Sequence, residues 1–311
     1  RLRSDHISMA ASHINHMQKA LVQMNIRLHE VISRIQSGSG MKIIRAILEG
    51  ERNPESLLRL CSSTMRKKKG NLILESLEGN YTHEHLFALQ QALDLFDFYQ
   101  LKIRECDLQC QNLLKGIVSE DELLDTASKP KPTRHNNPEI ENLHQSLISL
   151  CNGQDPTLIP GITDYSLLRL IGELGTDLTK WPTAKHFTSY IGLAPGSNQS
   201  GKMKKRSKQK VKTIAGHIFR ESAQSLLISK NNALGAFGRR LKAKKGSPVA
   251  IKAMARKLAV MYYNTLTNGQ EYVELGAIKY QQQYEERQRK FILKKASELG
   301  LLTTDIHKDT Q

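Results

Sequence analysis

Aromatic residues and long apolar runs are scarce in this chain of 311 residues. Phe, Trp and Tyr make up 5 % of the sequence, whereas hydrophobic residues together make up 39 %. This balance is typical of a helical protein with an ordinary core and excludes a disordered chain. No apolar run approaches the ~18 residues that a membrane span needs, so we expect no membrane partner.

Cysteine is also rare, and the four cysteines match no recognised zinc-binding spacing. Cys106 and Cys110 are one helical turn apart, and His83 and His85 lie upstream in sequence. No pair of carboxylates has the spacing of a two-metal nuclease site either. We therefore predict no metal site in this chain and reduced thiols in a cytoplasmic protein.

Acidic residues are nearly missing from one window of the chain. Residues 196–258 contain seventeen Lys and Arg but one acid, Glu221, and this surplus equals the formal net charge of +16 for the whole sequence. Charge concentrated in this way attracts a polyanion, and binding through it weakens steeply with salt. The window predicts nucleic-acid binding.

The N-terminal segment carries apolar residues at alternating spacings of three and four, which is a heptad pattern. Its members are Ile7, Ala10, Ile14, Met17, Leu21, Met24, Leu28, Val31 and Ile35. We predict one helix ending at "SGSG", residues 37–40, that pairs with another long helix or a second subunit. Packing of this helix within its own domain is the alternative. A second long helix is predicted from about Thr82, as N-cap, to Gly116.

Three prolines and a basic cluster in "TASKPKPTRHNNPEI" cannot continue a helix and indicate a linker. We therefore predict a mainly α fold. A long antiparallel coiled-coil region occupies residues 1–125, a linker 126–150, a compact helical domain 151–303 and a frayed tail 304–311. The compact domain carries an irregular serine loop, with at most a short hairpin around 196–209.

The serine loop is "GLAPGSNQSGKMKKRSKQK", residues 192–210. Ser200 precedes Gly201, which permits close approach to a ligand, and cations follow that can hold phosphate oxygens. Because no His or carboxylate lies near Ser200 in sequence, chemistry alone favours a phosphate contact over a nucleophile. Ser197 and Ser207 are the runner-up hydroxyls. The predicted DNA-binding residues of the loop are Lys202, Lys204, Lys205, Arg206, Lys208 and Lys210.

Two further DNA-binding residues lie outside the loop. Arg220 is a weaker prediction on the following helix. Gly161 supplies the turn in "LIPGITDYSLLRLIGEL", which resembles half of a helix-hairpin-helix element that meets a phosphate at a helix N-terminus. Thr163 replaces the second glycine usual in that element, and an ordinary tight turn between packed helices is equally open.

Five stretches together resemble the IS-one-ten family of bacterial insertion-sequence transposases, also called DEDD transposases and related to the Piv DNA invertases. They are "ASHINHMQKALVQMN", "MKIIRAILEGERNP", "GNYTHEHLFALQQALDLFDFYQLKI", "ELGTDLTKWPTAKHFTSYIGLAPG" and "QSGK". The resemblance runs from about residue 3 to residue 301. It implies a C-terminal transposase domain whose nucleophilic serine matches Ser200, and a covalent link between that serine and DNA.

The resemblance also implies parts that this sequence does not contain. Family members begin with a RuvC-like nuclease domain whose four acidic residues bind metal, so Mg²⁺ is expected there, and another protomer contributes this site. A bridge RNA guides relatives to their DNA. The sequence starts at Arg1 with the coiled coil, so we expect a fragment that lacks the acidic domain. It also has less glycine after "SG" than many members.

We thus predict a serine-dependent DNA transposase or recombinase of an insertion sequence in the bacterial cytoplasm. DNA, a bridge RNA and a second copy of the chain, held through the coiled coil, are its expected partners, and no cofactor is expected in this chain. A non-catalytic DNA- or RNA-binding remnant of a transposase is the alternative. A purely structural coiled-coil scaffold leaves the localised charge of +16 without a role.

Overall fold

The structure is a computed structural model, and it is mainly helical, as the sequence predicts. It describes residues 1–124, 128–132, 135–195, 198–200, 203–205, 213–229 and 232–299, with the backbone alone at 198–200 and 203–205. The chain divides into two compact units. Unit 1 comprises Arg1–Leu113 with Pro138–Ile140, and unit 2 comprises Leu114–Asn137 with Glu141–Gln311.

Unit 1 is built from helices that surround one apolar core. The helices are α1 Leu2–Gln23, α2 Leu28–Val31, α3 Gly38–Leu48, α4 Pro54–Arg59, α5 Ser63–Ser76 and α6 His83–Ile117, whose last turn belongs to unit 2. Every residue of the predicted heptad pattern lies in this core or packs against it. Met17 and Leu21 are fully buried among residues of the same chain. The pattern is therefore satisfied within unit 1, and a coiled coil between subunits stays a prediction.

The prediction of one helix up to residue 37 is wrong, because α1 ends at Gln23. Asn25 adopts a left-handed backbone conformation with φ of 61°. The Ile26 amide then donates to the Leu21 carbonyl at 2.9 Å, which closes the helix end. Asparagine tolerates this conformation better than other non-glycine residues, so a single side chain interrupts the heptad run.

The "SGSG" stretch begins a helix instead of ending one. The Ser37 hydroxyl accepts a hydrogen bond from the Gly40 amide at 3.3 Å and caps α3. The second long helix was predicted within one residue at each end, but its predicted cap is not formed. The Thr82 hydroxyl precedes α6, is buried and has no hydrogen-bond partner within the described structure.

Helices α1 and α6 run antiparallel within unit 1. Arg3 on α1 pairs with Asp107 on α6, with 2.5 Å between Nε and Oδ1, and the His13 ring stacks on Tyr99 at 5.6 Å. The Arg3 and Asp107 side chains are 8 % and 2 % exposed, so this ion pair lies in the interior. Asp107 interrupts the apolar stripe of α6 because it neutralises a buried cation and accepts a further bond from the Glu139 amide.

Unit 2 is also helical, apart from one antiparallel hairpin. Its helices are α7 Leu143–Leu150, α8 Asp164–Leu174, α9 Ala184–Tyr190, α10 Ile214–Ile228, α11 Ala233–Lys245, α12 Ser247–Asn268 and α13 Gln270–Glu298. Short 3₁₀ turns occupy Glu120–Glu122 and Pro156–Leu158. The strands are β1 Asn198–Ser200 and β2 Met203–Lys205, where the sequence allowed a short hairpin.

The core of unit 2 is centred on α12, which packs against α9, α10, α11 and α13. Aromatic rings meet there edge to face: Phe187 of α9 and Tyr262 of α12 both contact Phe219 of α10, at centroid distances of 6.5 and 5.6 Å. The Tyr263 hydroxyl donates to the Trp181 carbonyl at 2.6 Å. Aromatic rings thus fill the space where the helices of unit 2 converge.

The predicted linker is too long at its C-terminal end. Residues 143–150 form α7, whose Leu143, Leu147 and Ile148 are buried. These apolar residues recur at helical spacing, which the prolines upstream obscured. Residues 138–140 belong to unit 1, and the tail 304–311 lies outside the described residues. Across the described ranges, no helix has the length and apolar character to cross a membrane.

Candidate nucleic-acid interface

The residues that flank the serine loop on its two sides are hydrogen-bonded to each other. Thr213 caps α10, accepting from the Gly216 amide at 3.1 Å, and its hydroxyl donates to the Ile191 carbonyl at 2.9 Å. A Cβ added to Gly216 would overlap the Ile191 carbonyl, so glycine permits this close approach. The two ends of the loop, at residues 191 and 213, are thereby held together at the start of α10.

Within the loop, the described backbone forms the β1–β2 hairpin. Ser200 is paired with Met203, Gln199 with Lys204, and Asn198 with Lys205. Ser200 is the last residue of β1, next to the connection between the strands. The other predicted loop residues lie outside the described part of the chain: Ser197, Lys202, Arg206, Ser207, Lys208 and Lys210.

Arg220 of α10 lies near another cation rather than near an acid. Its charge, after the larger effect of burial, lowers the pKa of Lys252 on α12. No acidic side chain within the described ranges pairs with Arg220. Glu221, the one acid of the basic window, is bound by Arg169 of α8, with 2.8 Å between Nη1 and Oε2. The positive charge at Arg220 is therefore available to a polyanion.

A second group of cations was not singled out by the sequence. Lys257 of α12 lies 4.2 Å from the centre of the Phe237 ring on α11. Burial, followed by the charges of Arg240 and Arg287, lowers its pKa. Arg287 lies on α13, beyond the window of concentrated charge. Sequence spacing gave no signal for this group, because three helices of unit 2 bring it together.

Packing against α10 explains why residue 161 is a glycine, whether or not a ligand binds there. Its φ is +81°, and a Cβ there would lie 3.1 Å from both the Ser222 carbonyl oxygen and the Leu226 side chain on α10. The turn therefore packs directly on α10. The next helix is capped by Thr163, which accepts from the Ser166 amide at 3.3 Å. Contact between this turn and DNA stays a prediction.

Residues 157–237 match the family model described as Transposase IS116/IS110/IS902 family. This match supports an insertion-sequence transposase of the IS110 type. The matched segment includes the turn at Gly161, the serine hairpin and the whole of α10. No curated protein and no solved structure matches the chain significantly.

The match to IS110-type transposases implies interaction with DNA, and it covers the clamped serine loop together with Arg220. No group of three or more His, Cys, Asp or Glu within the described ranges could hold a metal ion. Cys61 and Cys151 are buried and Cys106 and Cys110 are half-buried, all as free thiols.

A buried polar network in the same unit was also missed by the sequence. Ser128 Oγ lies 3.1 Å from Nε2 of His144, whose Nδ1 lies 2.8 Å from Oδ1 of Asp164. The order resembles a hydrolytic Ser–His–Asp relay, but Ser128 donates its hydrogen to Asp155 at 2.6 Å. The one hydroxyl hydrogen of Ser128 is therefore directed at Asp155 and not at His144. The network connects elements of unit 2 and does not activate a nucleophile.

Proposed function

We propose that the chain acts in DNA transposition and that Ser200 is the nucleophile. The observation that carries this proposal is the clamped serine hairpin within the segment that matches the transposase family. The serine oxygen would form a bond to phosphorus while one phosphorus–oxygen bond of the DNA backbone breaks. The leaving oxygen takes a proton, and the serine proton passes to a base in the acidic domain that the family resemblance implies.

Cations beside the hairpin serve the same step. Charge accumulates on the phosphoryl oxygens during attack, and fixed cations stabilise it. We assign this role to Lys202, Lys204, Lys205 and Arg206 of the loop, with Lys208, Lys210 and Arg220 holding the neighbouring backbone phosphates. A bridge RNA that pairs with the DNA would supply sequence selection.

The test is formation of a covalent protein–DNA adduct by the chain joined to an acidic nuclease domain of the family, with Mg²⁺ and the guide RNA. Ser200→Ala should abolish the adduct and leave DNA affinity nearly unchanged, because one neutral hydroxyl contributes little beside many cations. Mass spectrometry should locate the attachment at Ser200. Attachment at Ser197 or Ser207 would contradict the assignment. Salt-sensitive binding without any adduct would favour the non-catalytic remnant.

The structure offers a sharper binding test at Arg220. Arg220→Ala removes a cation without an acidic partner among the described residues, whereas Arg169→Ala removes one already neutralised by Glu221. We expect the slope of log affinity against log salt to fall by roughly 1 in the Arg220 variant. The Arg169 variant serves as the matched control, and equal slopes for the two variants would contradict the role of Arg220.

Association between copies is proposed through the outer face of α6 instead of the buried heptad pattern. Phe87, Phe98, Leu101 and Leu108 are 46–62 % exposed along this helix. Phe98→Lys together with Leu101→Lys should shift sedimentation from dimer to monomer while helicity is retained. Leu72→Lys, at an exposed position on α5, is the control. A monomer for the parent chain would show that this face does not self-associate.

A further inference from the structure

The side chain of Lys131 is held by backbone carbonyls of the turn that precedes α8. Its ammonium group donates to three backbone carbonyls: Thr157, Ile159 at 2.8 Å and Ile162 at 3.2 Å. All three carbonyls belong to the turn at residues 157–162. Carbonyl oxygens that converge on one point form a site for a cation, since each directs its negative end inwards.

Two carboxylates extend this arrangement. Asp155 and Asp164, at the two ends of the turn, raise the pKa of Lys131, although the larger effect of burial lowers it. Asp155 also accepts from the Thr157 amide at 2.8 Å and from Ser128 at 2.6 Å. Asp164 is bound by His144. The turn is thus shaped around a positive charge, and residues 128–132 bring that charge to it.

The ligand atoms of the turn indicate the kind of cation that fits. Separations of 2.8 and 3.2 Å suit an ammonium group hydrogen-bonded to carbonyls. Three neutral carbonyls around one ammonium group suit a monovalent cation.

The turn at residues 157–162 also packs against α10, the helix that carries Arg220. Gly161 packs on the Ser222 carbonyl and on Leu226, so the turn and α10 are in direct contact. Arg220 lies two positions before Ser222 on the same helix. The Arg169–Glu221 pair is a second connection between α8 and α10.

We propose that the turn at residues 157–162 is a monovalent-cation site that the chain fills with the ammonium group of Lys131, and that Lys131 thereby positions α10 for nucleic acid. The second half of this proposal rests on the proposed DNA interaction, whereas the first half is independent of it. Lys131 is a positioning residue, because its amine is directed at the turn.

The experiment compares Lys131→Ala with Lys129→Ala in the full chain. Lys129 carries the same charge two positions away and is exposed. Thermal unfolding is followed through Trp181, the one tryptophan, which lies in the same unit. Chloride is held constant while tetramethylammonium, which is too large for the site, is replaced by potassium or methylammonium. Ionic strength therefore stays the same throughout.

In tetramethylammonium, Lys131→Ala should unfold about 5 °C below the parent chain, because charge-assisted hydrogen bonds are lost. Potassium or methylammonium should restore at least half of this shift. The parent chain and Lys129→Ala should not respond to the exchange of cation. DNA affinity of Lys131→Ala should fall about tenfold, more than for Lys129→Ala, and recover with the same cations. Lys131→Met keeps the aliphatic stem and is the second variant if the alanine chain does not fold.

An unfolding temperature that ignores the choice of cation in both Lys131 variants would overturn the cation site. Cation-dependent unfolding with unchanged DNA affinity would overturn the positioning role. If the parent chain binds no DNA, the proposed function fails, but the unfolding comparison still decides the cation site.

Discussion

The buried ion pair between Arg3 and Asp107 offers the sharpest test of the fold, because unit 1 contains its own control. Arg3 Nε and Nη2 bind the two carboxylate oxygens of Asp107 at 2.5 and 3.1 Å. Arg45 binds both oxygens of Asp97 at 2.9 and 2.7 Å. Both aspartates lie on α6, and both pairs are Arg–Asp. They differ in exposure, with side chains 8 % and 2 % exposed in the first pair and 47 % and 41 % in the second.

Asp107→Asn removes the charge and nearly preserves the shape, so the buried Arg3 guanidinium loses the carboxylate that binds it at two nitrogens. Breaking a buried pair in this way costs about 3–5 kcal/mol. Arg3 lies in the first turn of α1, where fraying gives it access to water, so we expect the lower end, about 3 kcal/mol. Asp97→Asn should cost about 0–1 kcal/mol, because water screens the exposed pair.

Hydrogen exchange of α1 amides measures the effect in the correct unit, since fluorescence of Trp181 reports on unit 2. Asp107→Asn should accelerate exchange in α1 about a hundredfold, whereas Asp97→Asn should change it less than about fivefold. Arg3→Met combined with Asp107→Leu should recover most of the protection, because apolar residues replace the pair without leaving a buried charge. Equal acceleration by the two single variants would refute the claim that burial makes the first pair important.

Two further predictions concern unit 2. Thr213→Val removes both the cap of α10 and the bond to Ile191, so the free energy of unfolding should fall by about 1–2 kcal/mol in urea titrations; a change no larger than that of Ser225→Ala, a hydroxyl bonded only within its own helix, would contradict the clamp. Burial raises the pKa of the Cys151 thiol to about 12. Iodoacetamide at pH 8.5 should therefore label Cys106, which is half-buried, much faster than Cys151, as peptide mass spectrometry can show. Comparable labelling of the two would contradict the burial of Cys151.

Sequence periodicity predicted much of unit 2, because its helices carry local start and stop signals. The stretch "DYSLLRLIGEL" became α8 residue for residue, with Thr163 as cap and Gly175 after it. In unit 1 the same method failed between residues 23 and 40. The apolar pattern continues there because those residues are buried, but burial in a core does not require one straight helix. Asn25 decided the outcome through its left-handed backbone and Ser37 through one capping hydrogen bond, and periodicity detects neither.

The candidate site was less accessible to prediction from the sequence. Local composition identified the basic window and the serine loop. The Lys131 site joins residues more than 25 positions apart, and the cations around Lys257 come from three helices. Such groups form only when helices and turns pack together, and spacing along the sequence does not show how they pack.

The bond between Thr213 and Ile191 has a consequence for how such a chain can change over time. A loop whose two ends are fixed beside each other costs little extra when it lengthens, about 0.6 kcal/mol for each doubling of its length. Residues 195–212 can therefore be exchanged, extended or shortened as one cassette while the helical body, which includes the buried Leu193, keeps its packing. Natural variation can then accumulate inside this cassette, and grafting it between homologous chains should leave the helical body folded.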